Sequence, residues 1–319
     1  MPAADRVAQA KEVAAKAAEK SKAFYQAHKK ACLAVGSVVG GCVVVKTGGL
    51  LYRVARNRSL NATFRALEED LVHLFVHPRW SHGPNFFPHC VKVEAFLRLA
   101  KIPYMVHFTN DTSMSPNGRL PFIVHNGTVL ADGEFIIQYL CEQFNVSLDD
   151  RLTPQEHARG LMVRRMVETS INYGLNRSTF VDYPKYMADM FSKEYLLPPV
   201  MASVLVSGMR KATIRVLNAV GYGDLGQEQY ETEFLRDMQS LEAFLAAGPF
   251  LFGNAPSTYD CSVYAWLQVA GEMGPNGAAL SYLTSSKVLR DYINRMTRLA
   301  FPDIDDLQAP FETQKFIPA

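Results

Sequence analysis

The side chains best suited to chemistry lie between residues 77 and 90, in "HPRWSHGPNFFPHC". Cys90 stands in the first turn of what reads as a helix, where the dipole and free amides can depress a thiol pKa. Ser81 offers a hydroxyl nearby, and His82, Asn85 and His89 are further polar donors in the same stretch. A group of this kind would activate a sulfur nucleophile or stabilise its thiolate. The competing account of Cys90 is a small buried apolar side chain. His77, His82, His89 and Cys90 follow no familiar metal-ligand spacing, so they read as loop histidines and no metal is assigned. Trp80, Phe86 and Phe87 have the size to line a pocket, but core packing or loop anchoring is the commoner use of such rings.

A regular run of elements after residue 60 must position these groups. "LVHLFV", 71–76, is a short apolar run closed by Pro78 and predicts a strand. "PHCVKVEAFLRLAK", 88–101, starts with proline and repeats apolar residues at Val91, Val93, Ala95, Phe96, Leu99 and Ala100, which predicts a helix. "IPYMVHF", 102–108, is a second strand, and "TNDTSMSPNGRL" a turn-rich connector. "PFIVHNGTVLADGEFIIQYLCEQF" then gives strand, Asn126-Gly127 hairpin, strand and helix. The order βαβ then ββα resembles the thioredoxin arrangement of a small four-stranded sheet with helices. From residue 151 the chain turns helical. Thr153, Pro154 and Glu156 form one helix start, and Ser257 with Asp260 a second capping pair. The acidic stretch at Asp149-Asp150 marks the boundary.

In 319 residues, 48% apolar and 20% charged, there is room for two modest domains with a substantial core. Residues 1–60 hold eleven of the 33 Lys/Arg and three of the 31 Asp/Glu, so a basic tail precedes a mildly acidic body. An acidic body argues against nucleic-acid binding by the folded part. Five widely spaced cysteines suggest reduced, intracellular thiols. Residues 5–30 are rich in strong helix formers without a broad apolar stripe. Residues 31–45, "ACLAVGSVVGGCVVV", are uncharged, and a span to Tyr52 reaches the length of a short membrane anchor if Lys46 snorkels. Gly36 and Gly40 have the spacing of close helix contact in lipid. A buried or frayed helix is the alternative for this stretch.

Four stretches of the body resemble the glutathione-transferase-like family. "SPNGRLP", 115–121, is similar to the family's approach to a cis proline, which places Pro121 there. "LADGEFIIQYL", 130–140, resembles the start of its third helix, and "FLFGNAPSTYD", 250–260, the capping box of its helical domain. "FPHCVKVEAFLRLAKIPY" resembles its first helix and second strand. The short connector 109–120, the long loop before "FPHC" and "MRKATIRVLNAVGYG", 209–223, resemble the failed axon connections group of the metaxin-related branch.

The resemblance implies a thioredoxin-like domain at 70–147 and an all-helical transferase domain at 151–305. A basic helical tail with an anchor at 31–52 would precede them, and a tail at 306–319 follow. It implies glutathione as cofactor, held by Leu120, Pro121, Asp132 and Gly133. Phe87 falls where the family places its sulfur-activating hydroxyl or thiol, leaving Ser81 and Cys90 as weak catalytic candidates. Tyr173, Asn176 and Arg177 fall where a second-substrate wall would form, although a polar helix end explains them equally. Two functions are implied. One is a membrane-associated scaffold with weak or absent thiol chemistry. The other is an active transferase conjugating small electrophiles. Partners would be a second copy or a metaxin-like hetero-assembly. The location would be a cytoplasm-facing membrane, mitochondrial outer or endoplasmic reticulum, with a soluble cytoplasmic protein as the alternative.

Overall fold

The computed structural model describes residues 60, 62–274, 277–307 and 314–318. The helix expected at 5–30 and the anchor expected at 31–52 lie outside them. Among the described residues no helix is long and apolar enough to cross a membrane. The sheet and the helices packed on it lie in one compact unit that begins at Leu67.

Strands β1 (Val72–Val76), β2 (Tyr104–Phe108), β3 (Phe122–His125), β4 (Thr128–Ala131) and β5 (Gln314–Phe316) form one sheet in the order β4-β3-β1-β2-β5. β1 and β2 are parallel, and the other pairs antiparallel. Every residue of β1 and β3 is buried, the pattern of strands covered on both faces. The β3–β4 hairpin turns on Asn126 (φ 48°) and Gly127 (φ 76°), the left-handed pair a two-residue turn requires. The connector 109–120 holds only a 3₁₀ turn at Thr112–Met114, so no second helix crosses that side of the sheet. Residues 314–316, within the tail expected at 306–319, extend the sheet along β2.

Helix α1 (Pro88–Leu99) is buried continuously from Cys90 to Arg98. It lies between the sheet and α8 (Thr258–Glu272), itself buried from Asp260 to Ala270. Its three charges therefore cannot face water and must be paired. Glu94 accepts from both Arg79 guanidinium nitrogens at 2.5 and 2.6 Å and from the Tyr104 hydroxyl at 2.8 Å. Arg98 donates to Tyr104 at 2.6 Å and to Asp303 at 2.5 Å. Burial is the largest influence on the Glu94 carboxyl and would raise it, but Arg79, Arg98 and the Tyr104 hydroxyl together hold the group below the usual range.

The helical layer opens with α2 (Gly133–Phe144), closing the sheet domain, and α3 (Pro154–Met166), capped by Thr153 and Glu156 as expected. The α3 axis runs on through a π-helical turn (Val167–Ile171), α4 (Asn172–Arg177) and a second π turn (Ser178–Asp182). A hairpin of α5 (Pro184–Glu194) and α6 (Pro199–Ala219) follows, then α7 (Gln227–Leu245). After α8 come α9 (Ala278–Ser285) and α10 (Lys287–Ala300). Ser257 and Asp260 form the expected capping box of α8, and Asp260 Oδ1 also accepts from the Leu251 amide and the Tyr292 hydroxyl, both at 3.0 Å.

Candidate functional site

The Leu120–Pro121 bond is cis and delivers the chain into β3. Phe122 pairs with Phe75 of β1 and with Ala131 of β4, so Pro121 and Asp132 stand side by side at one end of the sheet. Gly133 begins α2 with the place of its missing Cβ only 3.5 Å from Val93 of α1. The register thus gathers the cis proline and the starts of α1 and α2.

Asp132 holds φ 77°, and its carboxylate caps α2 by accepting from the Glu134 amide at 3.1 Å. Glu134 is engaged by Lys92 and by Arg164. Lys92 reaches Glu168 at 2.6 Å, and the Ser262 hydroxyl donates to the same Glu168 oxygen at 2.9 Å. Burial lowers the Lys92 pKa while Glu168 pulls the other way. This network joins α1, α2, the first π turn and α8, and its charges are mutually satisfied beside the helix start. Sequence reasoning missed it. The available signal was a lysine on an apolar helix with acids just past Gly133 and inside a helical run.

Phe87 occupies the N-cap of α1 and gives it no side-chain cap. Its ring packs against His77 at 4.1 Å between centroids and edge-on to Phe86 at 5.0 Å. Its amide donates to Asn85 Oδ1 at 3.0 Å, and buried Asn85 donates to the His77 carbonyl at 2.7 Å. His77, lowered by burial, donates Nδ1–H to Asn110 at 3.0 Å. Cys90 is fully buried, and burial pushes its thiol up to about 12. A fully buried thiol held up in this way packs as a small apolar side chain.

The remaining candidates are engaged elsewhere. Ser81 donates its hydroxyl to Glu194 of α5 at 2.6 Å, and His82 lies 3.9 and 3.8 Å from Glu194 and Glu272. His89 is exposed, its ring edge-on to Trp266. Trp80 and Phe86 anchor the loop, Phe86 meeting Phe191 of α5 at 5.1 Å. Tyr173 and Asn176 line a cavity of about 170 Å³ with Asn172, Thr213, Val216 and Leu217. Arg177 is buried, donating to Asp182 at 3.3 Å and to the Leu225 carbonyl at 2.9 Å, a structural arrangement. Among the described residues no cluster of three His, Cys, Asp or Glu could hold a metal.

Residues 88–184 match the glutathione S-transferase N-terminal domain, and 234–296 the glutathione S-transferase C-terminal domain. The chain belongs to the glutathione S-transferase-like family. Failed axon connections of Drosophila melanogaster is 26% identical over 267 residues, covering 79% of this chain and 63% of that protein. The chain thus spans less than two thirds of that relative. Metaxin-1 of Bos taurus is 24% identical, covering 70% of this chain and 74% of its own. These two relatives fit the failed axon connections and metaxin branch of the family. Isoprene-epoxide–glutathione S-transferase of Rhodococcus sp. (strain AD45) is 26% identical, covering 69% of this chain and 95% of that enzyme.

Proposed function

We propose that the protein is a membrane-associated, transferase-like scaffold or interaction protein in which thiol chemistry is weak or absent. The observation that carries the reading is Phe87. A ring with no donor stands at the cap of α1, wedged against His77, and the nearest thiol, Cys90, is sealed in the core. Residues 31–52 would anchor the chain on a cytoplasm-facing mitochondrial outer or endoplasmic reticulum membrane. A second copy or a metaxin-like protein would be its partner.

Glutathione fits this site in part. Gly133 opens α2 with its side-chain place turned toward Val93 and Lys92 of α1, so only its backbone amide at the start of α2 would be left to meet a carboxylate. Leu120 and Pro121 would offer backbone, and Asp132 would face the ligand's ammonium. Gly133 lacks a hydroxyl, which forgoes about 1 kcal/mol of hydrogen bonding. Phe87 at the cap of α1 has no donor to offer the sulfur, so the reading is recognition without activation.

The full-length protein should show no saturable conjugation of an aryl halide to glutathione above the uncatalysed rate. Saturable turnover that falls at least tenfold in Asp132→Asn, which keeps the α2 cap, would overturn the scaffold reading. It would favour the second one, a glutathione-dependent transferase acting on small electrophiles, which the Rhodococcus relative supports. Membrane fractionation with and without 31–52 tests the anchor.

A further inference from the structure

The two matched domains leave a gap, residues 185–233, and the α5–α6 hairpin fills most of it. Residues 195–209, "YLLPPVMASVLVSGM", are uncharged. They form the hairpin tip and the first half of α6, yet only Ala202 and Val206 of that half-helix are buried. Leu196 is 88% exposed, Val200 75% and Val204 68%, with Met201 and Leu205 also open. An uncharged apolar face of this size on a soluble surface marks a contact site.

Charge says what the contact is. Between Tyr195 and Gly223 there is no acid, and the three bases Arg210, Lys211 and Arg215 all lie in the second half of α6, exposed. At 100° per residue, Lys211 and Arg215 share the outward face of Val200 and Val204. Lys211 lies about 10 Å along the axis from Val204, at 1.5 Å per residue. That separation matches an apolar tip sunk about 5–10 Å into an interface with cations at headgroup level. A second copy is disfavoured, because a two-fold contact through α6 would bring its three bases together with no acid on α6 to offset them; the acids of the hairpin, Asp189 and Glu194, lie on α5.

We infer that the α5–α6 hairpin docks on an anionic phospholipid surface, the tip from Leu196 to Leu205 inserting and Lys211 and Arg215 meeting headgroups. This contact is separate from any anchor at 31–52. It rests on the membrane part of the proposed function and adds a second point of attachment, which would lay the helical domain against the bilayer.

The test is Val204→Trp in the full chain, with circular dichroism to confirm folding. The two native tryptophans, Trp80 and Trp266, are buried and form a constant background. On phosphatidylcholine vesicles containing phosphatidylserine, the new emission should shift to the blue and be quenched by brominated acyl chains. Adding Lys211→Glu and Arg215→Glu should weaken this response about tenfold or more, at roughly 1 kcal/mol per base near the surface. Unshifted emission from the introduced indole, on vesicles that nonetheless sediment the chain, would overturn the docking while leaving the anchor intact. Failure to sediment at all would overturn both. A lipid-independent blue shift that grows with protein concentration would assign the face to a second copy, and a concentration-independent one to an intramolecular contact. Either would overturn the docking.

Discussion

At the scale of single residues, burial decides which thiols and imidazoles of the sheet domain can exchange a proton with water. Cys90 is the clearest case. With its thiol pushed up to about 12 by burial, it should resist iodoacetamide at pH 8 in the folded protein and react once denatured, as read by peptide mass spectrometry. Alkylation at native pH with the rate of a free thiol would contradict the packing described. His107 makes a different prediction. Burial, with His73 beside it at 2.9 Å, holds its imidazole down at about 4 from an ordinary 6.5. The folded state therefore prefers the neutral ring, and the unfolded chain binds the proton first as pH falls. The stability this group contributes is complete above about pH 6.5 and is lost as pH drops from there toward 4. For a half-buried ring the loss is on the order of 1–2 kcal/mol after solvent screening. Urea midpoints at pH 7.5 and 5 should differ less in His107→Gln than in the parent. Position 87 was legible in sequence because a proline-led helix start fixes where the cap falls. The fates of Ser81 and Asn85 were not, since each depends on a partner supplied by folding, Glu194 for one and the His77 carbonyl for the other.

At the scale of elements, local signals served well where the chain itself carries the cause. The Asn126-Gly127 turn, the Thr153 and Ser257 caps and the proline starts are all short-range chemistry, and each was found where expected. Helix α1 was only half legible. Its apolar repeat suggested one buried stripe, whereas packing between the sheet and α8 buries every side from Cys90 to Arg98. The clue was Glu94 and Arg98 one turn apart in an otherwise apolar helix. Removing one partner from such a buried pair leaves the other charge uncompensated, so Glu94→Gln should cost about 3–5 kcal/mol by chemical denaturation. A cost under 1 kcal/mol would mean that the Arg79–Glu94–Tyr104 cluster is not closed to water. β5 was not legible at all, because three residues far along the chain carry no periodic signal. Its place is secured by Phe316, over which the Arg98 guanidinium lies at 4.8 Å. Phe316→Ala should lower stability by about 1 kcal/mol through the lost cation–π contact and edge packing.

At the scale of the molecule, the sheet and helical layers share one interior. α1 packs on α8, Lys92 ties it to the π turn through Glu168, and Arg98 ties it to Asp303. Residues 67–319 should therefore melt in a single transition, with near- and far-ultraviolet dichroism coincident. Lys92→Ala should lower that transition by about 3 kcal/mol without splitting it, whereas two separated transitions would show independent domains. The late strand also bears on synthesis. β2 emerges from the ribosome early, yet the segment that covers its outer edge is made only after the helical layer. Throughout translation of the helical layer that edge has open hydrogen-bonding groups, a template for mispairing with neighbouring nascent chains. Chaperone capture should thus be stronger on chains truncated before β5 than on chains that carry it.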